Sequence, residues 1–346
     1  MRYHPQDSEL PSVKSFNDVA CLLSRKLLGQ PAAIDVIVPC IQMYRSRLAP
    51  EGRPVGIFLL LGPTGTGKTR TVEALAEVLH GSAKKLLRID CGEFQMEHEV
   101  AKLIGAPPGY LGHRETQPVL TQLKLNAAAS EGCDLSIVLF DEIEKAAPSM
   151  ARLLLGILDK GTLRLGDGTA VHFEKTIVFL TSNLGARQMS KQLRPNFGFE
   201  SLVPHEQRAA RLKAIGANAL KRSFPPEFIN RIDEVVTFQP LNRDALRAIL
   251  DLALCDLQDH VDKRLGVEAF QIDVSAAARR FLLKRGTSDE YGARELKRVL
   301  QRELIHPLAA LVAAGEVNPG AHVRAELNAR RDKLILREDR ALAPAC

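Results

Sequence analysis

The sequence predicts an α/β fold, in which a parallel sheet flanked by helices is followed by a smaller, mainly helical C-terminal domain. Three observations predict it. An apolar run at residues 57–61 ends in a glycine-rich loop, and a helical pattern follows. Further short apolar runs alternate with helical segments up to residue 239, and this alternation is typical of a parallel sheet covered on both faces. Beyond Pro240 the apolar spacing is mainly helical, which indicates a second domain.

The glycine-rich loop reads GPTGTGKT at residues 62–69 and matches the pattern G-x-x-x-x-G-K-[ST]. Glycines let the backbone bend so that successive N–H groups face phosphate oxygens. Lys68 can reach the β- and γ-phosphates, and the Thr69 hydroxyl can hold Mg²⁺. An accidental glycine-rich turn is disfavoured because a strand pattern precedes the loop and a helix pattern, residues 71–81, follows it. We therefore expect ATP and Mg²⁺ to bind here, at Pro63, Thr64, Gly65, Thr66, Gly67, Lys68 and Thr69.

A second chemical signal lies where another apolar run, residues 136–140, leads directly into Asp141 and Glu142. This pattern predicts a central strand that delivers carboxylates to the ligand edge of the sheet. Asp141 would hold Mg²⁺ through water, and Glu142 would polarise the attacking water. The alternative is a strand that ends in a solvated acidic turn, but the upstream phosphate loop favours the catalytic interpretation. The next strand pattern ends at residues 181–183, where Asn183 could orient the water.

The remaining elements of the first domain follow from apolar spacing. Residues 1–15 are polar and predicted to be loose. Residues 16–47 have helical spacing interrupted at LLGQ, where Pro31 favours the start of a second helix. The spacing also predicts helices over 93–104, 119–129 and 151–159, strands over 86–90, 136–140 and 176–180, and loops over 105–112 and 161–169.

The second domain is predicted from three helical patterns and two short strand patterns. The helices cover residues 241–264, 275–285 and 293–314, and the strands cover 323–327 and 333–336. Together these boundaries divide the chain into a loose segment 1–15, a large domain 16–239, a small domain 240–338 and a tail 339–346.

Composition excludes some classes of partner. The 346 residues suffice for about two domains. The formal charge of +6 comes from scattered basic residues, which favours a solvated surface over a nucleic-acid patch. Tryptophan is absent and only 4 tyrosines are present, so the chain has few aromatic side chains on which the bases of a single-stranded nucleic acid could stack. We therefore expect no nucleic-acid partner.

The cysteines and the apolar runs indicate the compartment. None of the 6 cysteines is spaced as a metal or redox pair, so we expect them reduced and mostly buried. The N-terminus has no apolar signal core, and no apolar run approaches the roughly 18 residues of a membrane span. These features predict a cytoplasmic protein without a membrane partner.

Eight stretches together resemble the AAA+ family, and within it the second ATPase module of Clp-type unfoldases and disaggregases such as ClpB and ClpC. The resemblance covers residues 27–338, and its motifs occur in the family order. The stretches are GPTGTGKT, RIDCGEF, GAPPGYLG, VLFDEIEKA, LLLGILDKGTLRLGDGTAVHF, TSNLG, PPEFINRID and YGARELKR. The resemblance implies a P-loop ATPase domain followed by a Clp-type small domain.

The resemblance also implies roles for single residues. Asp141 resembles the Mg²⁺-coordinating acid, Glu142 the catalytic glutamate, and Asn183 the sensor that positions water. Arg231, in FINR, resembles the arginine finger that reaches into a neighbouring subunit's site, and Arg294, in YGAR, resembles the second sensor. If the arginine finger comes from a neighbouring subunit, a complete active site forms only at the interface between two subunits. We therefore expect a homo-oligomeric ring, which the resemblance implies is a hexamer.

Three further positions take a role from the family. Leu28 and Gly29 match the segment that packs against adenine, and Tyr110 matches the aromatic pore loop that grips a translocating polypeptide. Simpler interpretations stay open: Arg231 could form a salt bridge with Asp233, Arg294 could be a surface charge, and Tyr110 could pack within its own domain.

The leading hypothesis is an ATP-driven unfoldase that threads protein substrates through a ring. One alternative is the ATPase of a Clp-like protease, docking a ClpP-like peptidase through Phe197-Gly198-Phe199. That tripeptide could equally be an ordinary apolar turn. Another alternative is a non-threading switch, and a third is a nucleic-acid loader, which would need a strand-binding insert. Since the chain has one module, few preceding residues and no coiled-coil middle domain, we expect substrate choice to need an adaptor or the short N-terminus.

Overall fold

The computed structural model describes residues 16–105, 118–193, 205–287, 292–330 and 332–339. The chain forms two compact units. The first contains residues 1–63 and 67–239, and the second contains residues 64–66 and 240–346.

The first unit is a layered α/β structure. Its helices are α1 (Phe16–Lys26), α2 (Pro31–Arg45), α3 (Lys68–His80), α4 (Glu97–Ile104), α5 (Gln122–Ala127), α6 (Pro148–Lys160), α7 (Ala186–Leu193), α8 (His205–Ser223) and α9 (Pro226–Ile229). Its strands are β1 (Gly56–Leu61), β2 (Leu87–Asp90), β3 (Ser136–Asp141), β4 (Thr162–Arg164), β5 (Ala170–His172), β6 (Thr176–Ser182) and β7 (Glu234–Thr237).

Five of these strands form a parallel sheet in the order β2-β3-β6-β1-β7. Every residue of β1, β3 and β6 is buried, as expected for central strands covered on both faces. Successive side chains of β1 enter opposite cores, with Ile57 and Leu59 on one face and Phe58 and Leu60 on the other. The predicted α/β class is confirmed, and the carboxyl ends of β1, β3 and β6 meet at one edge.

The second unit is mainly helical. It contains α10 (Arg243–Leu265), α11 (Ala276–Gly286), α12 (Ala293–Leu300), one π-helical turn (Gln301–Ile305) and α13 (His306–Ala313). Strands β8 (Gln271–Val274), β9 (His322–Leu327) and β10 (Leu334–Asp339) form a sheet in the order β10-β9-β8. β8 runs parallel to β9, and β10 runs antiparallel to it.

Several short elements differ from the sequence prediction. β7 and β8 were not predicted, and the predicted loop at 161–169 contains β4, which pairs with β5 in a hairpin. These strands have three or four residues, too few to show a periodic pattern. The helix predicted from residue 93 begins at Glu97, because the Glu99 carboxylate caps it by accepting a 2.9 Å hydrogen bond from the Met96 N–H.

The cysteines are free thiols wherever the chain is described, but they are not mostly buried. Cys40 and Cys91 are buried, Cys133 is half-buried, and Cys21 and Cys255 are exposed. The two exposed thiols lie on α1 and α10, which each present one face to solvent. Among the described helices, none has both the length and the apolar character that crossing a membrane requires.

Candidate functional site

The glycine-rich loop joins β1 to α3 and takes backbone conformations that glycine permits. Gly62, Gly65 and Gly67 have φ values of 150°, 76° and 104°. A Cβ atom on Gly62 would lie 2.7 Å from the Phe238 carbonyl oxygen, so a side chain there would force the loop away from β7. At Gly67 a Cβ atom would meet open space. Glycine is favoured there because the residue before α3 has a left-handed backbone conformation.

Lys68 is the first residue of α3 and is only 7% exposed. Its Nζ atom donates hydrogen bonds to the Gly62 carbonyl oxygen at 2.7 Å, to the Pro63 carbonyl oxygen at 2.9 Å and to Asn183 Oδ1 at 2.9 Å. A buried ammonium group needs such acceptors to offset its lost hydration. Lys68 therefore joins the loop after β1 to the end of β6.

Asp141 ends β3 and is 7% exposed. Its carboxylate accepts hydrogen bonds from the Thr69 hydroxyl at 3.3 Å and from the buried Thr181 hydroxyl. Its Oδ2 atom also lies 2.5 Å from the guanidinium of Arg88, on β2. Three elements of the first unit thus converge on this carboxylate.

Glu142 has a left-handed backbone, with φ 57° and ψ 51°. This conformation costs a non-glycine residue about 1–2 kcal/mol, and it is held by a 2.9 Å hydrogen bond from the Glu142 N–H to the Thr181 hydroxyl oxygen. The side-chain Oε1 atom accepts a 3.2 Å hydrogen bond from Asn183 Nδ2. The other oxygen, Oε2, forms an ion pair with Lys145. The hydrogen bond and charge of Glu142 raise the pKa of Lys145.

Asn183 is held on its backbone as well as on its side chain. Its N–H donates a 2.9 Å hydrogen bond to Glu144 Oε1. Because its amide group also bonds Lys68 and Glu142, the three predicted residues Lys68, Asn183 and Glu142 form one continuous hydrogen-bonded chain. Four contributors to the site were not predicted: Arg88, Glu144, Lys145 and Thr181.

Leu28 and Gly29 lie in the turn between α1 and α2, where Leu28 is half-buried and Gly29 has φ 78°. The neighbouring Gln30, not singled out from the sequence, fixes this turn. Its Nε2 atom donates to the Gln239 carbonyl oxygen at 2.8 Å, and its Oε1 atom accepts from the Gln239 N–H at 3.3 Å. The turn is thereby fastened to the chain that follows β7.

Arg231 forms an ion pair of 2.9 Å with Asp159 on α6. The suggested pair between Arg231 and Asp233 is wrong, because the Asp233 carboxylate is occupied by Arg53 at 2.5 Å and by the Ile57 N–H at 2.9 Å. Arg294 is exposed near the start of α12 in the second unit.

Tyr110 and the tripeptide Phe197-Gly198-Phe199 lie outside the described residues. Their predicted roles remain expectations from the sequence.

The oxygen ligands of the site suit a metal ion that is also bound by the phosphates of a nucleotide. Within the described ranges, no group of three or more His, Cys, Asp or Glu side chains could hold a metal ion. Thr69 and Asp141 offer two oxygen ligands 3.3 Å apart. Mg²⁺ commonly takes one or two protein oxygens and completes its shell with water and phosphate oxygens. The open space beside Gly67 leaves the loop backbone accessible to such phosphates.

Comparison with known families matches both parts of the chain. Residues 53–235 match the family described as AAA domain (Cdc48 subfamily). Residues 241–325 match the C-terminal, D2-small domain of ClpB protein.

Individual relatives cover most of this chain. It is 39% identical over 301 residues to the chaperone protein ClpB of Meiothermus ruber, covering 87% of this chain and 33% of the relative. The ClpB of Pseudomonas putida is 38% identical over 306 residues, with coverages of 88% and 33%. The chain thus spans about a third of the length of the curated relatives it matches.

Solved structures of Hsp104 are also similar. The S. cerevisiae Hsp104:casein complex in its extended conformation matches with a TM-score of 0.80 and 29% identity, covering 96% of this chain and 53% of that one. The S. cerevisiae Hsp104-ADP complex matches with a TM-score of 0.77 and 30% identity, with coverages of 96% and 53%.

Proposed function

The chain belongs to the AAA ATPase family, with the domain order of the second ATPase module of ClpB-like proteins, and from this premise we propose that it hydrolyses ATP to remodel protein substrates. The observation that carries the proposal is the hydrogen-bonded chain Lys68–Asn183–Glu142 beside Thr69 and Asp141. It joins an ammonium group, an amide and a carboxylate at one sheet edge, which supports their assignment to phosphate binding, water orientation and general base.

Each residue then has a distinct task in ATP hydrolysis. Backbone N–H groups of the loop and the Lys68 ammonium bind the phosphates. Thr69 and Asp141 would hold Mg²⁺, which neutralises charge on the transferred phosphoryl group. Glu142 accepts a hydrogen bond from the attacking water and polarises it. Asn183, fixed by Glu144 and Lys68, holds the Glu142 carboxylate in place.

Arg231 acts on a neighbouring subunit in this proposal. Its side chain is 49% exposed and that of its partner Asp159 is 38% exposed. Such a pair is worth at most about 1 kcal/mol, so the guanidinium can leave Asp159 at small cost. An arginine finger supplied in trans requires a ring, for which we propose a hexamer. Arg294, from the second unit, reads the γ-phosphate, and Leu28 and Gly29 pack against adenine.

We also propose that the chain threads polypeptide substrates through the ring. Hsp104, which this chain resembles in fold, has been solved in complex with casein, and we extend a polypeptide substrate to this chain with Tyr110 as its grip. The test is ATP-dependent loss of fluorescence from a stably folded fluorescent protein, with ATPase rates recorded in the same samples. Tyr110→Ala should hydrolyse ATP without unfolding the reporter. Equal unfolding by both proteins would exclude Tyr110 as the grip.

The hydrolysis itself is tested with Glu142→Gln. This variant should bind a fluorescent ATP analogue as the parent does and lose steady-state turnover. Glu174→Gln is the matched control, because Glu174 is an exposed residue preceding β6, at the amino ends of the strands. Normal turnover by Glu142→Gln would contradict the catalytic assignment, and a parent chain that binds no ATP would contradict the proposed function as a whole.

A further inference from the structure

The carboxylate of Asp141 has a basic partner on the neighbouring strand. Arg88 lies on β2 and reaches Asp141 Oδ2 with its guanidinium at 2.5 Å. The Asp141 side chain is 10% exposed, whereas that of Arg88 is 50% exposed. A carboxylate this deeply buried needs a compensating charge or hydrogen bonds. Arg88 therefore neutralises Asp141 from the solvent side of the site.

The same carboxylate would hold the divalent cation. The Thr69 hydroxyl donates to Asp141 at 3.3 and 3.5 Å, so it faces both carboxylate oxygens. A guanidinium in contact with Oδ2 and a divalent cation at the same carboxylate would repel each other at close range, where charges act strongly. Arg88 and the cation thus compete for Asp141.

Arg88 has a second acidic neighbour to which it can turn. Its NH1 atom lies 3.9 Å from Oε1 of Glu73 on α3. Glu73 is four residues after Thr69, on the same helix, and its side chain is 33% exposed. Because the Arg88 side chain is long and half-exposed, it can move from Asp141 to Glu73 by rotation about its own bonds.

We infer that Arg88 is an exchangeable counter-ion: it holds Asp141 when no divalent cation is bound and passes to Glu73 when the cation takes the carboxylate. In this role Arg88 is a positioning residue that lowers the affinity of the site for Mg²⁺. The inference rests on the proposed function to the extent that Thr69 and Asp141 hold the metal.

The experiment measures how strongly Mg²⁺ and nucleotide favour each other's binding. The dissociation constant of a fluorescent ADP analogue is measured with excess EDTA and with excess Mg²⁺. The constant in EDTA divided by the constant in Mg²⁺ gives the coupling between metal and nucleotide. Arg88→Gln should raise this ratio about three- to fivefold, as expected for loss of a half-exposed ion pair. Arg88→Lys, which keeps the charge, should lie nearer the parent.

Two controls separate the ion pair from a general change in charge. Arg279→Gln removes a cation of similar exposure that pairs with Asp251 in the second unit, and it should leave the ratio within experimental error. In an Asp141→Asn background, Arg88→Gln should also have no effect. Thermal unfolding in EDTA gives a readout without ligand: Arg88→Gln should lower the midpoint, and this loss should disappear beside Asp141→Asn.

The outcomes separate this inference from the proposed function. If the parent chain binds nucleotide and the Arg88→Gln variant has the same ratio as the parent, the inference alone is overturned. An equal change of the ratio in Arg279→Gln would also overturn it. A parent chain that binds no nucleotide in either solution overturns the proposed function and this inference together. If Arg88→Gln does not fold, Arg88→Met replaces it in the comparison with Asp141→Asn, because methionine removes the charge and keeps a long unbranched side chain.

Discussion

The Nζ atom of Lys68 donates a 2.9 Å hydrogen bond to the Oδ1 atom of Asn183, 115 residues later in the chain. This bond leaves the Asn183 amide nitrogen to donate to Glu142 Oε1 at 3.2 Å. One side chain at the end of β6 therefore contacts both the ammonium group that we propose binds phosphate and the carboxylate that we propose acts as the base. In the proposed mechanism, Asn183 links nucleotide binding to hydrolysis.

We expect Asn183→Ala to slow ATP hydrolysis by about 10²-fold, the usual cost of losing one positioning group in a site. ATP binding should weaken much less, because Lys68 keeps its two loop carbonyl acceptors. Turnover is measured with a coupled assay and binding with a fluorescent ATP analogue. Asn126→Ala, at an exposed position on α5, is the control. A large loss of affinity with unchanged turnover would contradict the assignment.

Thr181 is buried, with 1% of its surface exposed. Its hydroxyl donates a hydrogen bond to the Asp141 carboxylate and accepts one from the Glu142 N–H. Thr181→Val keeps the shape but removes both bonds, and it leaves a buried carboxylate and a backbone N–H short of a partner. We expect a loss of about 1–3 kcal/mol in the free energy of unfolding, measured by urea denaturation. Thr181→Ser, which keeps the hydroxyl, should lose less. Equal stabilities of the two variants would show that the hydroxyl is not needed.

Glu77 links α3 to α1 and should make stability depend on acid pH. Burial alone would raise the pKa of its carboxyl group, but hydrogen bonds from Arg70 and Lys26 outweigh burial and hold the pKa below its ordinary value. Since the folded-state pKa is depressed, the stabilisation is present above the ordinary glutamate pKa of about 4.3 and is lost as pH falls through the folded-state value. Glu77→Gln should therefore be less stable than the parent at neutral pH, by up to ~1 kcal/mol.

Urea denaturation at neutral pH and near pH 3 tests this dependence. The difference between Glu77→Gln and the parent should shrink at the lower pH. Glu51→Gln, at an exposed position before β1, should track the parent throughout. A difference for Glu77→Gln that stays constant with pH would exclude ionisation of Glu77 as its cause.

The sequence was enough to predict the position of those site residues that lie within a single motif or at the end of a single strand. The phosphate loop and the acids at the end of β3 each follow an apolar run, so their positions could be read from spacing. Asn183 was expected to orient the water because it ends the next strand pattern, and in the structure β6 pairs with β3 so that Phe140 lies opposite Leu180.

The remaining contributors depend on contacts between distant segments. Arg88 reaches Asp141 only because β2 is the neighbour of β3. Asp233, just before β7, accepts a hydrogen bond from the Ile57 N–H, and Arg231 pairs with Asp159 instead. β7 has four residues and no periodic signal, so neither its place nor the resulting partner of Arg231 could be derived from local pattern.

The last prediction concerns Arg231, whose ion pair with Asp159 gives a way to separate structure from function. Arg231→Ala should lose at most about 1 kcal/mol of folding stability, since both side chains are more than a third exposed. Its assembled form should nevertheless lose ATP hydrolysis by about 10³-fold or more, as expected for a missing arginine finger. Asp159→Asn breaks the same ion pair but keeps the finger, and it should hydrolyse ATP at close to the parent rate.

Mixing experiments decide in which subunit Arg231 acts. Arg231→Ala subunits are combined with Glu142→Gln subunits, each inactive alone. If Arg231 serves the neighbour, the site of an Arg231→Ala subunit keeps its own Glu142 and receives a finger from an adjacent Glu142→Gln subunit, so mixed assemblies should regain part of the turnover. If Arg231 serves its own subunit, every site lacks one of the two groups and no mixture recovers. Absence of recovery in assemblies shown to be mixed would therefore exclude action in trans.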